Sequence, residues 1–150
     1  MSIELNISRI GPQQVEEARS LANRRLRETY SAELFQHFFE NFNSCFLVAS
    51  HDGRIAGFIL GVPLEGITLR ILMLAVDEGF LKMGVGSTLM ASAEAYASSR
   101  KMSAISLEVG VKNEVAINFY KRLGFALTGM LPHYYEDGSD AFVMRKALPV

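Results

Sequence analysis

The segment TLRILMLAV, residues 68–76, holds the unbroken apolar run ILMLAV. Two glycines, Gly84 and Gly86, follow it, one residue apart, where a helical pattern begins. A strand that reads as a continuous apolar run, without alternation, is one covered on both faces. Followed by a helix, it predicts a crossover unit, in which the chain must return to the same sheet. Crossover helices set their N-termini along one edge of the sheet, the edge where open α/β sheets bind ligands. This arrangement excludes an all-helical bundle and an all-β sandwich.

The rest of the chain fits around that unit. Ile3, Leu5, Ile7 and Ile10 predict a first strand, broken by Gly11-Pro12. Pro12 suits the first turn of a helix carrying Val15, Ala18, Leu21, Ala22 and Leu26. Ser31 is placed to cap a second helix over residues 32–41, whose Leu34, Phe35, Phe38, Phe39 and Phe42 recur at helical spacing and read as core. Residues 45–50 and 55–62 read as strands of a hairpin turned at His51-Asp52-Gly53-Arg54, with His51 solvated. A third helix spans residues 85–99 with Leu89, Ala93 and Ala97 inward, and residues 104–109 form the next strand. Residues 113–123 form a helix stopped by Gly124, and residues 125–131 and 141–146 close as a pair of strands around a polar loop. The predicted order is β-α-α-β-β-β-α-β-α-β-β. It makes one α/β domain of 150 residues, with a mixed sheet of about seven strands flanked by about four helices.

Composition removes several partners. Lys and Arg number 15 against 16 Asp and Glu, a net charge of -1, which gives no global attraction to nucleic acid or to an anionic membrane. No apolar run approaches the roughly 18 residues that span a bilayer. The N-terminus MSIELNISRI lacks the basic-then-apolar layout of a signal peptide. The single cysteine, Cys45 in CFLVA, reads as core, since no activating partner stands beside it. These features describe a cytoplasmic chain, and no metal-ligand pattern is present.

The loop KMGVGS, residues 82–87, opens the third helix. Glycines there let a ligand approach the main chain, and unpaired amides with the helix dipole favour a phosphate. The spacing is neither GxGxxG, because Leu89 holds the third glycine position, nor a P-loop. A plain strand-to-helix turn explains a lone GxG equally well. In the strand ISLEVG, Ile105, Leu107 and Val109 face one side and Ser106, Glu108 and Gly110 the other. Glu108 stands near the strand's carboxyl end.

Taken together, Val76-Asp77, the KMGVGS loop, LEV followed by Asn113, and FYKRLGF resemble the GCN5-related N-acetyltransferase (GNAT) family over roughly residues 55–125. The resemblance implies that the backbone of Lys82, Met83, Gly84, Val85, Gly86 and Ser87 binds the pyrophosphate of acetyl-CoA. It implies that Leu74, Ala75 and Val76 bond the pantetheine arm, with Val76 N–H steadying an oxyanion, and that Asn113 joins the cofactor site. Tyr120 takes the family's general-acid position and Glu108 that of a general base. Leu81 departs from the family's Arg or Gln before the loop, and Gly110 from the arginine frequent after LEV. His133 is an alternative base.

A narrower resemblance, to the protein N-terminal acetyltransferases, lies in LRETYS (residues 26–31) and PHYYEDGSDAFVMRKAL (residues 132–148). It implies that Tyr134 and Tyr135 hydrogen-bond the backbone of an acceptor peptide while Glu28 and Tyr30 line the pocket for its first residue. The expected reaction is direct acetyl transfer from acetyl-CoA to the α-amine of a protein or peptide, without metal. Two other readings stand beside it. One is acetylation of a small amine (a polyamine, amino acid or aminoglycoside), which calls for an acidic pocket. The other is a catalytically weak acyl-CoA-binding module, supported by Leu81.

Overall fold

The computed structural model of the protein describes residues 3–149. The elements run β1 (Asn6–Arg9), α1 (Val15–Arg25), α2 (Ala32–Asn41), β2 (Cys45–His51), β3 (Arg54–Leu64), β4 (Thr68–Val76), α3 (Val85–Ser99), β5 (Ala104–Gly110), α4 (Glu114–Arg122), β6 (Ala126–Leu131) and β7 (Ala141–Ala147). The strands form one 7-stranded sheet in the order β1-β2-β3-β4-β5-β7-β6. This is the mixed α/β sheet that the sequence pattern predicts. Among the described residues the chain packs as two compact units, residues 3–62 with Leu72–Tyr96, and Pro63–Ile71 with residues 97–149.

In the first unit, local signals fix the element ends. Ser31 caps α2 by accepting the Leu34 N–H at 3.1 Å, satisfying an amide that has no intrahelical partner. Phe35 is fully buried, with its ring edge-on to Tyr30, Phe46 and Phe58 at 5.7–6.3 Å. Phe38, Phe39 and Phe42 pack partly buried beside it. Leu34, expected in the same stripe, is exposed, because it lies one position off the 35, 38, 39, 42 spacing that faces the core. The β2–β3 hairpin turns on Asp52 and Gly53, both at positive φ (50° and 78°), as a two-residue turn of the primed type requires.

Three details differ from the sequence reading. β1 is shorter than residues 3–10, because Asn6 already pairs with Ser50 and β2 turns away just beyond, leaving the earlier residues no strand to join. Ile10 still extends the pairing through its N–H to the Phe46 carbonyl, 2.8 Å. His51 is not merely solvated. Its Nδ1–H donates to the Glu4 carbonyl at 2.9 Å and its ring meets Phe80 edge-on at 5.9 Å. β4 is not equally covered on both sides. Leu69, Ile71, Met73 and Ala75 are buried, whereas Arg70, Leu72, Leu74 and Val76 are half-buried.

Cys45 is fully buried, and desolvation pushes its thiol up to about 11, with a backbone hydrogen bond to Gly61 offsetting part of the effect. Gly57 on β3 admits the start of α3. A Cβ there would stand 2.8 Å from the Ala75 carbonyl oxygen, 2.9 Å from Val85 and 3.2 Å from Leu89. Only a hydrogen fits, so the first turns of α3 rest directly on β3 beside β4.

In the second unit, β4 and β5 pair in parallel from Thr68↔Ala104 to Ile71↔Leu107. β7 lies antiparallel to β5 from Ala104↔Ala147 to Gly110↔Ala141, and β6 pairs with β7 as the outer strand. Asn113 caps α4 by accepting the Ala116 N–H at 3.2 Å. After α4, Gly124 turns the chain at φ +99°, where a side chain would strain the backbone.

Candidate active site

Two clusters stand out, one in each unit. In the first unit, Asp77 leaves β4 and its side chain accepts the Gly79 N–H at 2.8 Å, starting the turn that leads to the glycine loop. Lys82 and Gly84 both adopt left-handed φ, 62° and 81°. Such turns aim successive amides into a common concavity. The first hydrogen bond into α3 runs from Thr88 N–H to the Gly84 carbonyl at 3.0 Å, so the preceding amides of the first turn have no helical acceptor. Leu81 is 43% exposed and projects from the loop rather than packing into the core. On β4, the Val76 carbonyl accepts from Arg25 Nε at 3.0 Å, which fixes the strand end on which the Val76 amide sits.

The second cluster surrounds Glu108 on β5. Arg70 Nη2 and Nε donate to Glu108 Oε1 at 2.6 and 3.0 Å. The Tyr134 hydroxyl donates to the same oxygen at 3.1 Å and accepts from Arg70 Nη2 at 2.8 Å. The other carboxylate oxygen, Oε2, has no hydrogen-bond partner among the described residues. One oxygen carries all of the group's hydrogen bonds and the other carries none. Burial works to lower the Arg70 pKa, but the hydrogen bond and charge of Glu108 outweigh it and hold the guanidinium above its ordinary value. Burial, followed by the negative charge of Glu108, raises the Tyr134 hydroxyl. The cluster sits in an open groove of about 450 Å³ lined also by Ser106, Thr128 and Arg145.

Residues 13–125 match the acetyltransferase (GNAT) family. This chain is a GNAT N-acetyltransferase. It is 33% identical over 135 residues to an N-alpha-acetyltransferase of Sulfurisphaera tokodaii, covering 82% of this chain and 81% of the relative. An uncharacterized N-acetyltransferase of Methanocaldococcus jannaschii is 38% identical over 121 residues, 80% of this chain and 77% of the other. The crystal structure of Ard1 from Thermoplasma volcanium superimposes with a TM-score of 0.94 at 35% identity, over 99% of this chain and 100% of that one.

Within this GNAT chain the remaining candidate residues fall into different settings. Tyr120 on α4 is half-buried, its ring edge-on to Phe119 at 5.3 Å and Phe125 at 5.7 Å. Desolvation, with Tyr135 adding to it, pushes its hydroxyl up to about 12. Asn113 spends its side-chain oxygen on the α4 cap, and its Nδ2 makes no hydrogen bond with a described residue. Tyr30 packs against Phe35, and its carbonyl accepts from Arg19 and Asn23, both at 3.1 Å. Glu28 is half-buried in the loop ahead of it.

Tyr134 and Tyr135 meet edge-on at 5.0 Å. The Tyr134 hydroxyl, expected to hold acceptor backbone, is hydrogen-bonded to Glu108 and Arg70. His133 ties its own loop together, with Nδ1–H donating to the Gly138 carbonyl at 3.1 Å and its amide donating to Asp140 at 2.9 Å. Sequence reasoning missed Arg70. The signal was a single charge inside an otherwise apolar strand, which must find a partner when partly buried.

Proposed function

We propose that this GNAT enzyme acetylates the N-terminal α-amine of proteins or peptides, using acetyl-CoA as donor and Glu108 as the proton acceptor. The observation that carries this reading is the Glu108 carboxylate, anchored through Oε1 by Arg70 and Tyr134, with Oε2 unpartnered among the described residues and the residue lining a surface groove. Acetyl-CoA supplies the activated thioester. The amides from Lys82 to Ser87 suit its pyrophosphate, since they stand at a helix N-terminus with the loop in left-handed conformation. Leu74, Ala75 and Val76 offer main-chain groups to the pantetheine arm, and the Val76 amide suits the developing oxyanion.

Only a neutral amine attacks a thioester. An α-ammonium loses its proton near pH ~7.7–8.0, against about 10.4 for lysine, so one carboxylate, directly or through a water, is enough for an α-amine. Glu108 takes that proton. The Tyr120 hydroxyl gives one to the departing sulfur and regains it from solvent. With its pKa near 12, Tyr120 stays protonated at any working pH and is always ready to donate.

Relatives named N-alpha-acetyltransferase support the choice of acceptor, as do the paired tyrosines beside the base. The groove does not have the acidic lining that a polyamine or aminoglycoside would need, since Arg70 and Arg145 accompany the single carboxylate of Glu108. The test compares a peptide with a free N-terminus with the same sequence blocked at its N-terminus and bearing one lysine. The free peptide is expected to turn over at least tenfold faster, read by thiol release. Equal rates, or faster turnover of spermidine than of any peptide, would overturn the assignment.

Leu81 gives a second check on the cofactor reading. Because it is exposed beside the loop, Leu81→Arg adds a guanidinium without breaking core contacts. Calorimetric titration is expected to show CoA binding several-fold tighter, with the gain fading at high salt because an exposed ion pair is screened. Unchanged affinity at low salt would place the phosphates elsewhere.

A further inference from the structure

We propose that Arg145 forms a subsite for an acidic side chain at the third residue of the acceptor peptide. The inference rests on the reading that Glu108 receives the α-amine. Sheet register aligns Arg70, Ser106 and Arg145 in a row across β4, β5 and β7. Glu108 lies opposite Val143 in the adjacent row. Residues directly opposite share a face of the sheet, and all five side chains line the same groove. Arg145 is therefore the diagonal neighbour of Glu108, about 7–8 Å away between Cα atoms. An extended peptide advances about 3.3 Å per residue, so two steps from an amine at Glu108 reach Arg145.

The charges in the groove are not used alike. Arg70 is committed, with two nitrogens on Glu108 and one of these also on Tyr134. Arg145 is exposed and makes no hydrogen bond or ion pair with any described residue. The Ser106 hydroxyl beside it in the row likewise has no partner among the described residues, whereas Thr128 donates to the Val143 carbonyl at 3.3 Å. Within the row, Arg70 is thus neutralised by Glu108, whereas Arg145, in register with Ser106 on its other side, is an unmatched guanidinium that suits a carboxylate through charge-assisted hydrogen bonds. Arg145 acts here on specificity and takes no part in proton transfer.

The test uses full-length enzyme and free-amine heptapeptides that differ only in residue three, which is Glu, Gln or Lys. The wild type is expected to show a KM about three- to tenfold lower for Glu than for Gln, and higher still for Lys, with the preference shrinking at 0.5 M salt. Arg145→Gln is expected to equalise the Glu and Gln peptides through KM, Arg145→Lys to keep the preference, and Arg145→Glu to invert it. A wild type indifferent to residue three, or an acidic preference that survives Arg145→Gln, overturns the proposal. Failure of the α-amine reading shows separately, as turnover of N-terminally blocked lysine peptides at the rate of free ones.

Discussion

Glu108→Gln is expected to lower kcat/KM by about 10²- to 10⁴-fold, the usual cost of removing a positioned proton acceptor. The substitution is close to isosteric. The amide oxygen can still accept from Arg70 and Tyr134, while the amide nitrogen takes the place of Oε2, which has no partner among the described residues. Fold and acetyl-CoA affinity should therefore hold, and the loss should fall on the step that needs a base. That loss is expected to shrink as pH rises past the acceptor's own α-amine pKa, about 7.7–8.0, because the substrate then arrives already neutral. Steady-state kinetics across pH 6–9.5, with calorimetry for the donor, would check it. Full activity in the variant at low pH would remove Glu108 from the mechanism.

Tyr120→Phe separates the leaving-group step from the attack. The phenyl ring keeps its contacts with Phe119 and Phe125, so only the hydroxyl is lost. A fall in kcat of about 10²- to 10⁴-fold with little change in acetyl-CoA affinity is expected. Burial raises this hydroxyl to about 12, so its neutral, donating form is favoured. The sign follows: wild-type activity should show no loss from Tyr120 deprotonation until pH climbs toward 12. An acyl donor whose thiol has a lower pKa needs less help to depart and should recover part of the variant's rate. A variant as fast as wild type on acetyl-CoA would assign the proton to another group.

Where the signals are local, the sequence is enough to read this fold. Ser31 sets the start of α2 through one hydrogen bond, and Asp52-Gly53 sets the β2–β3 turn because both residues tolerate positive φ. The extent of β4 follows from its apolar run ILMLAV after Gly66, and the start of α3 from the glycines of the loop ahead of it. What escaped depends on pairing across long separations. β7 inserts between β5 and β6, a choice that no local propensity encodes. Arg70 and Glu108 are 38 positions apart and meet only because parallel pairing brings β4 beside β5. The same pairing gives the Tyr134 hydroxyl its two partners, Arg70 and Glu108, which no local pattern announces. The motifs thus name residues along the chain, while the partners of Glu108 and Tyr134 emerge only from the sheet.

The isolation of Cys45 has a practical consequence. It is the one thiol in the chain, wholly enclosed and protonated at neutral pH. A disulfide reagent added to a reaction mixture therefore counts the CoA set free and leaves the folded protein uncounted. The same enclosure makes β2 a clock: this sulfur can be labelled only when its strand opens, so the rate of modification measures how often the hairpin lets go.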